Sequence, residues 1–247
     1  MKIGIIGTGN IGGTLASKLV QAGHDVSVAN SRGIDGVQAF ADQVGAQATD
    51  VHGAVKDQDI IILSVPMPAM EKLPTGLFEG VSSHVPVIDT SNYYPGMRDP
   101  NIAAIDDGQA ESLWVSERIG RKVVKAFNNI LAYSLENLGQ PETSQRLAIA
   151  VAGDDADTKA QVMELVNSIG FEPVDAGSLA DSWRQQPSTP AYCCDWNAQE
   201  MQEALACAVK GKAQYKRDKL PEHFLALGSN PTHSDVITLN RSINTAS

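Results

Sequence analysis

The chain has 247 residues, 43% of them hydrophobic and 19% charged, which suits a folded α/β domain with a C-terminal addition and excludes a disordered or fibrous chain. Its 29 acidic and 19 basic residues leave a formal net charge of −10, so it repels phosphate backbones and no nucleic-acid partner is expected. Cys193, Cys194 and Cys207 form neither a disulfide framework nor a spaced ligand set, and no metal is expected.

Met1-Lys2-Ile3 runs straight into an apolar strand, leaving no room for a signal peptide. No apolar run is long enough to cross a bilayer. The expectation is a cytoplasmic protein without a membrane partner. Ile3-Gly4-Ile5-Ile6 predicts the first strand. Residues 11–22 predict a helix, with Ile11, Leu15 and Leu19 on one stripe and Gly23 as its stop. Strand 26–29, helix 36–44 and a short strand over 46–49 follow. Ile60-Ile61-Ile62-Leu63-Ser64-Val65 is β-branched and uninterrupted, as in a strand buried on both faces, and Pro66 and Pro68 end it. Strands over 85–89, 122–127 and 147–151 repeat the pattern. Gly153-Asp154-Asp155 then opens a helix whose face carries Val162, Leu165, Val166 and Ile169, stopping at Gly170.

Strands alternating with helices predict a Rossmann-type, doubly wound, mostly parallel sheet over residues 1–182. The pattern changes afterwards. Residues 183–190 read as an extended loop, 195–212 as a helix and 234–243 as a last short helix, giving a helical C-terminal extension over 183–247. Lys210, Lys212, Lys216, Arg217 and Lys219 read as the solvated face of a helix.

Gly7-Thr8-Gly9-Asn10-Ile11-Gly12 is a G-x-G-x-x-G fingerprint placed between a strand and a helix, the context that gives it meaning. Gly7 allows the tight turn, Gly9 lets a pyrophosphate approach the backbone, and Gly12 lets the helix pack on the sheet. The helix start offers free N–H groups to the phosphates. An NAD site places an acid at the end of the second strand. Here the chain reads Asn30-Ser31-Arg32, with no acid until Asp35. Arg32 and Ser31 suit a 2′-phosphate, which a carboxylate would repel, so the dinucleotide is NADP(H).

Ligands of such sheets lie beyond the carboxyl ends of the strands. Ser64, Val65 and Pro66 are therefore candidates to flank the adenosine or ribose. Ser91, Asn92, Asn128 and Asn129 are candidates near the nicotinamide, although Ser and Asn favour turns in any case. Lys125 stands among them as a sheet-end lysine. The histidines at 24, 52, 84, 223 and 233 read as surface residues, and Cys193-Cys194 as packing.

With these segments, the chain resembles the F420-dependent NADP reductase family and the reductase domain of the STEAP metalloreductases. Gly7 to Gly12, Asn30-Ser31-Arg32, Val124-Lys125-Ala126-Phe127-Asn128, Ala152-Gly153-Asp154-Asp155 and Val174-Asp175-Ala176-Gly177-Ser178-Leu179 carry the resemblance, over about residues 1–183. It implies hydride transfer between NADP(H) and a second, tricyclic carrier, F420 or a flavin, with residues 175–179 on the acceptor side. The cofactors carry that chemistry, and no catalytic side chain is assigned. The loop Trp183 to Tyr192 is expected to shape the acceptor site, through its aromatic ends and Arg184, Gln185 and Gln186. A homodimer is expected. Two other functions stay open: an NADPH reductase of a small carbonyl or imine, for which the C-terminal part is short, and a non-catalytic NADPH sensor.

Overall fold

The computed structural model describes residues 1–141 and 145–246. Six strands form a parallel sheet: β1 (Lys2–Ile6), β2 (Asp25–Ala29), β3 (Gln47–Ala48), β4 (Ile60–Leu63), β5 (Val87–Asp89) and β6 (Val124–Lys125). Their order is β3-β2-β1-β4-β5-β6, which reverses between β1 and β4 and so opens a crevice at their carboxyl ends.

The alternation of side chains along the strands builds two apolar layers. On one face Ile3, Ile5, Val26, Val28, Ile60, Ile62 and Ile88 pack with Leu15 and Leu19 of α1 (Asn10–Gln21), Val37 and Ala41 of α2 (Gly33–Val44), and Val162, Leu165 and Val166 of α7 (Ala156–Ser168). On the other, Ile6, Ile61, Leu63 and Val87 pack with Met67 and Met70 of α3 (Met67–Met70), Ile105 of α4 (Ala103–Asp106), and Trp114 and Val115 of α5 (Glu111–Ile119). Helix α6 (Ala132–Asn137) follows β6. Asp155 caps α7 by accepting the Thr158 N–H at 2.8 Å, as its position before the helix suggests.

The sheet continues with a change of direction. β7 (Ala148–Val151) and β8 (Glu172–Asp175) are parallel to each other. β7, however, joins β6 through an antiparallel bridge, with the N–H of Lys125 bonded to the carbonyl of Ala152 at 2.8 Å and the reverse bond at 3.0 Å. Ala152 thus stands level with Lys125 at the carboxyl end of β6, and the Val151–Asp175 register brings the end of β8 to the same level. Beyond Asp175 the chain follows β7 past Ala152, with the Gly153 N–H on the Gly177 carbonyl and the Leu179 N–H on Asp154.

From there a 3-10 helix, Leu179–Gln185, runs along α5. Residues 183–190 are thus not an extended loop. Ser182, Gln185, Ser188 and Thr189 are buried, because a turned strap can satisfy its backbone internally while its side chains reach into the protein. Of the helix predicted over 195–212, only α8 (Ala198–Cys207) forms, and two unpredicted helices follow it, α9 (Lys212–Asp218) and α10 (Leu220–Ala226). Ala208 is extended, Gly211 has φ 85° and Pro221 starts a new turn, each of which interrupts the apolar periodicity. Helix α11 (His233–Ile243) closes the chain on a Thr232–Asp235 capping box. Strand β6 is shorter than the run over 122–127, since Phe127 has φ 61° and turns the chain out of the sheet.

Candidate functional site

The fingerprint lies at the reversal point of the sheet. Gly7 has φ 106°, and a Cβ there would stand 2.1 Å from the Ser64 carbonyl oxygen. A Cβ on Gly12 would stand 2.0 Å from the Gly7 oxygen, so these two glycines are required by the protein's own packing. Gly9 differs. Its φ of −77° suits any residue, and a Cβ there would meet nothing within 4 Å. The space over the start of α1 is open, and α1 has no side-chain cap on its first N–H groups. Those features fit a pyrophosphate.

Asn30 ties the second half of the site to the first. Its Nδ2 donates to Thr8 Oγ1 at 3.1 Å, and its Oδ1 accepts the Arg32 N–H at 2.9 Å. The turn bearing Ser31 and Arg32 is thereby held against the glycine loop. Both side chains are exposed, and Arg32 forms no ion pair with any described residue, which leaves its guanidinium available for an anion. Asn10 is exposed and Ile11 half-buried at the same edge. Ser64 and Val65 are half-buried and Pro66 exposed beside Gly7 and Gly12.

The sequence model of the family described as "NADP oxidoreductase coenzyme F420-dependent" matches residues 2–93, which hold this whole constellation. Over 105 residues the chain is 52% identical to the protein YjhV of Escherichia coli K12, covering 42% of this chain and 77% of that one. The chain belongs to this family of NADP oxidoreductases. A crystal structure of the protein SMa0349 from Sinorhizobium meliloti superposes with a TM-score of 0.66 at 31% identity, over 80% of this chain and 96% of that one. Metalloreductase STEAP3 of Rattus norvegicus is 29% identical over 182 residues, 73% of this chain. The chain spans only about a third of that metalloreductase, 35% of its length. No helix among the described residues is long and apolar enough to cross a membrane. The described residues also hold no cluster of metal-ligating side chains.

In this family member the residues after β5 and β6 meet as a network. Asn92 Nδ2 donates to the Asn128 carbonyl at 2.9 Å, and Asn128 Nδ2 donates to Asn92 Oδ1 at 3.0 Å and to the Gln185 carbonyl at 2.7 Å. Gln185 Nε2 returns bonds to Asn128 Oδ1 at 2.9 Å and to the Ala150 carbonyl at 3.1 Å. Asn129 holds the Ala191 carbonyl at 3.2 Å. The strap is fixed on the carboxyl side of the sheet by these amides. Asn92 is half-buried, whereas Ser91, Asn128 and Asn129 are buried; Ser91 Oγ donates to Met67 Sδ at 3.0 Å.

Beneath this network lies Lys125, fully buried. Its ammonium binds Asp89 Oδ2 at 3.1 Å and the Ser91 carbonyl, and stands 3.9 Å from Glu111 Oε2. Ser112 Oγ adds a bond to Asp89 at 2.6 Å. Burial raises the Glu111 carboxyl to about 7, against the nearby Lys125 ammonium, which lowers it. At 3.9 Å that ammonium supplies charge but no hydrogen bond, so Glu111 Oε2 has no hydrogen-bond partner among the described residues.

Several groups escaped the sequence. Tyr94 and Tyr192 touch hydroxyl to hydroxyl, and burial pushes both phenols up. Burial likewise lifts the thiol of Cys194 to about 12 and raises that of Cys193, which favours the protonated thiols. His233 is not a plain surface residue: its Nε2 meets Asp195 at 2.9 Å and its ring stacks on Tyr133 at 4.4 Å. Nor is Arg217 a solvated cation. It is 7% exposed and lies over the Tyr93 ring at 5.1 Å. Glu111, the first residue of α5, and Arg217, in the last turn of α9, carry no motif that flags them.

Proposed function

We propose that the chain passes a hydride from NADPH to a flat ring acceptor of the flavin or deazaflavin (F420) type at the carboxyl ends of β4, β5 and β6. The observation that carries the donor side is the exposed, unpaired Arg32 beside Ser31, held on the glycine loop by Asn30, with no acid at the end of β2. The acceptor class is supported by the description of the matching family. It also agrees with the side chains at hand: Lys125 is locked to Asp89, and the tyrosines to each other, so none is poised for acid–base work.

Bound NADPH supplies the hydride, and the protein supplies distance and orientation. Thr8, Gly9, Asn10 and Ile11 receive the pyrophosphate on the free N–H groups of α1, while Gly7 and Gly12 shape the turn. Ser31 and Arg32 hold the 2′-phosphate. Ser64, Val65 and Pro66 border the adenosine and ribose, and Asn92 borders the nicotinamide. Asn128 holds Asn92 and the strap in place, Ser91 is anchored by Met67 and Lys125 beside them, and residues 183–247 complete the acceptor side. A homodimer belongs to this reading, to be checked by light scattering on the purified chain. A reducing, cytoplasmic setting is favoured by its three free cysteines.

Stopped-flow oxidation of NADPH against F420, FMN, FAD, quinones and small carbonyls tests the proposal. Rapid oxidation by F420 or a flavin is expected. Turnover only with a carbonyl or imine would replace the acceptor, and no turnover with any of them would leave an NADPH-binding protein without this activity.

A further inference from the structure

A second cavity lies beside the Lys125 cluster, on the same end of the sheet but behind the strap. It measures about 270 Å³ and is walled by Ile105 to Gln109, Glu111, Trp183, Gln186, Pro187 and residues of the α9 region. Its polar groups are unevenly satisfied. Glu111 is 2% exposed, and its Oε2 has no hydrogen-bond donor. Gln186 Nε2 is buried without an acceptor among the described residues. Arg217 spends Nε and one terminal nitrogen on Asp218 Oδ1, both at 2.9 Å, and its other terminal nitrogen bonds no described residue. Buried polar groups left unpaired cost free energy, and a partner that supplies the missing bonds recovers it.

The missing bonds define the partner. Gln186 and Arg217 call for acceptor oxygens, and Lys210 adds a positive charge to that wall. Asp106 and Asp107 also line the cavity; Asp106 accepts bonds from Tyr93 and Asn101, and Asp107 is exposed. Glu111 calls for a donor when ionised and for an acceptor when protonated. An ammonium is disfavoured there, because Lys125 already stands 3.9 Å from the same oxygen. A neutral hydroxyl meets the need. The volume matches about nine waters' worth of liquid and lies just below the range of drug-sized sites, too small for a flavin or deazaflavin. Trp183, Pro187, Ile105 and Val209 supply apolar contact for a short carbon skeleton.

We propose that this cavity is a binding site for a short-chain hydroxy acid, its carboxylate on Arg217 and Gln186 and its hydroxyl on Glu111. The site stands apart from the dinucleotide and does not depend on which acceptor takes the hydride. Through Glu111, Lys125 and Ser91 it adjoins the residues beside the proposed nicotinamide position.

Isothermal titration of the purified full chain with glycerate and lactate tests this, with propionate, glycerol and serine as controls. At least one hydroxy acid should bind, and each control should bind about tenfold more weakly or worse, the equivalent of one lost hydrogen bond. Gln186→Leu and Glu111→Gln should each weaken hydroxy-acid binding by about tenfold while leaving NADPH binding intact, which shows that the fold survives. Gln186 lies on the half-buried strap, so it carries the test if Glu111→Gln does not fold. Absence of binding by both hydroxy acids overturns the proposal. So does equal binding of propionate or glycerol, tighter binding of serine, or indifference to Gln186→Leu.

Discussion

At the scale of single residues, the three fingerprint glycines separate into two kinds. Gly7 and Gly12 are pressed by backbone oxygens at 2.1 and 2.0 Å, whereas the space around Gly9 is empty. Gly9→Val should therefore fold, judged by circular dichroism, yet lose NADPH binding in a fluorescence titration, because the branched side chain takes the room of the pyrophosphate. Retained binding would show that this loop holds no phosphate. Gly12→Ala should instead destabilise the protein itself. Arg32 answers a different question. It is exposed and unpaired, so its loss costs the fold little. Losing a charge-assisted phosphate contact costs about 1.5–3 kcal/mol, roughly 10–150-fold in affinity. Titrating NADPH and NADH into wild type and Arg32→Ala should show NADPH preferred in the first and that preference largely erased in the second. Equal wild-type affinities would remove the 2′-phosphate from the site.

At the scale of elements, the parallel half was legible because its signals are local. An uninterrupted β-branched run such as Ile60 to Leu63 has few alternatives to a buried strand, and the glycine spacing of residues 7–12 is tied to the turn it makes. Direction was not legible in Leu147 to Val151. Its apolar pattern is the same whether it runs with or against β6, and the bridge between Lys125 and Ala152 involves only backbone atoms. The strap misled for a related reason. Its prolines and polar residues suggest a surface loop, but Gln185 is fully buried, and Asn128 and Ala150, distant in sequence, satisfy its amide nitrogen. Gln185→Ala should strand Asn128 Oδ1 and the Ala150 carbonyl and open a void, lowering stability by about 2–4 kcal/mol in urea denaturation. A change below about 0.5 kcal/mol, the size typical of surface substitutions, would mean the strap does not depend on this clamp.

At the scale of the whole molecule, a net charge of −10 and one carboxyl held protonated against the trend combine in the dependence of stability on pH. Glu111 titrates near 7 when folded, against an ordinary value of 4.5, because burial outweighs Lys125. Between those values the native state keeps a proton that the unfolded chain has released. Its contribution is full below about 4.5, falls as pH rises, and is lost above about 7. The shift corresponds to at most about 3 kcal/mol. Surface repulsion grows over the same interval but is screened by salt, while a fully buried group is screened little. His24 opposes both: burial lowers its pKa, so its contribution is lost as pH falls through 6.5. Asp155 and Asp235 lie below their ordinary values through hydrogen bonds to Thr158 and Thr232, and their contribution is lost only in more acid solution. The informative quantity is therefore the difference between wild type and Glu111→Gln, measured by denaturation from pH 5 to 7.5 at low and high salt. Wild type should lose stability relative to the variant as pH rises, by a similar amount at both salt concentrations. Parallel profiles would show that Glu111 is ionised in the folded protein throughout, with Lys125 and Arg217 outweighing its burial.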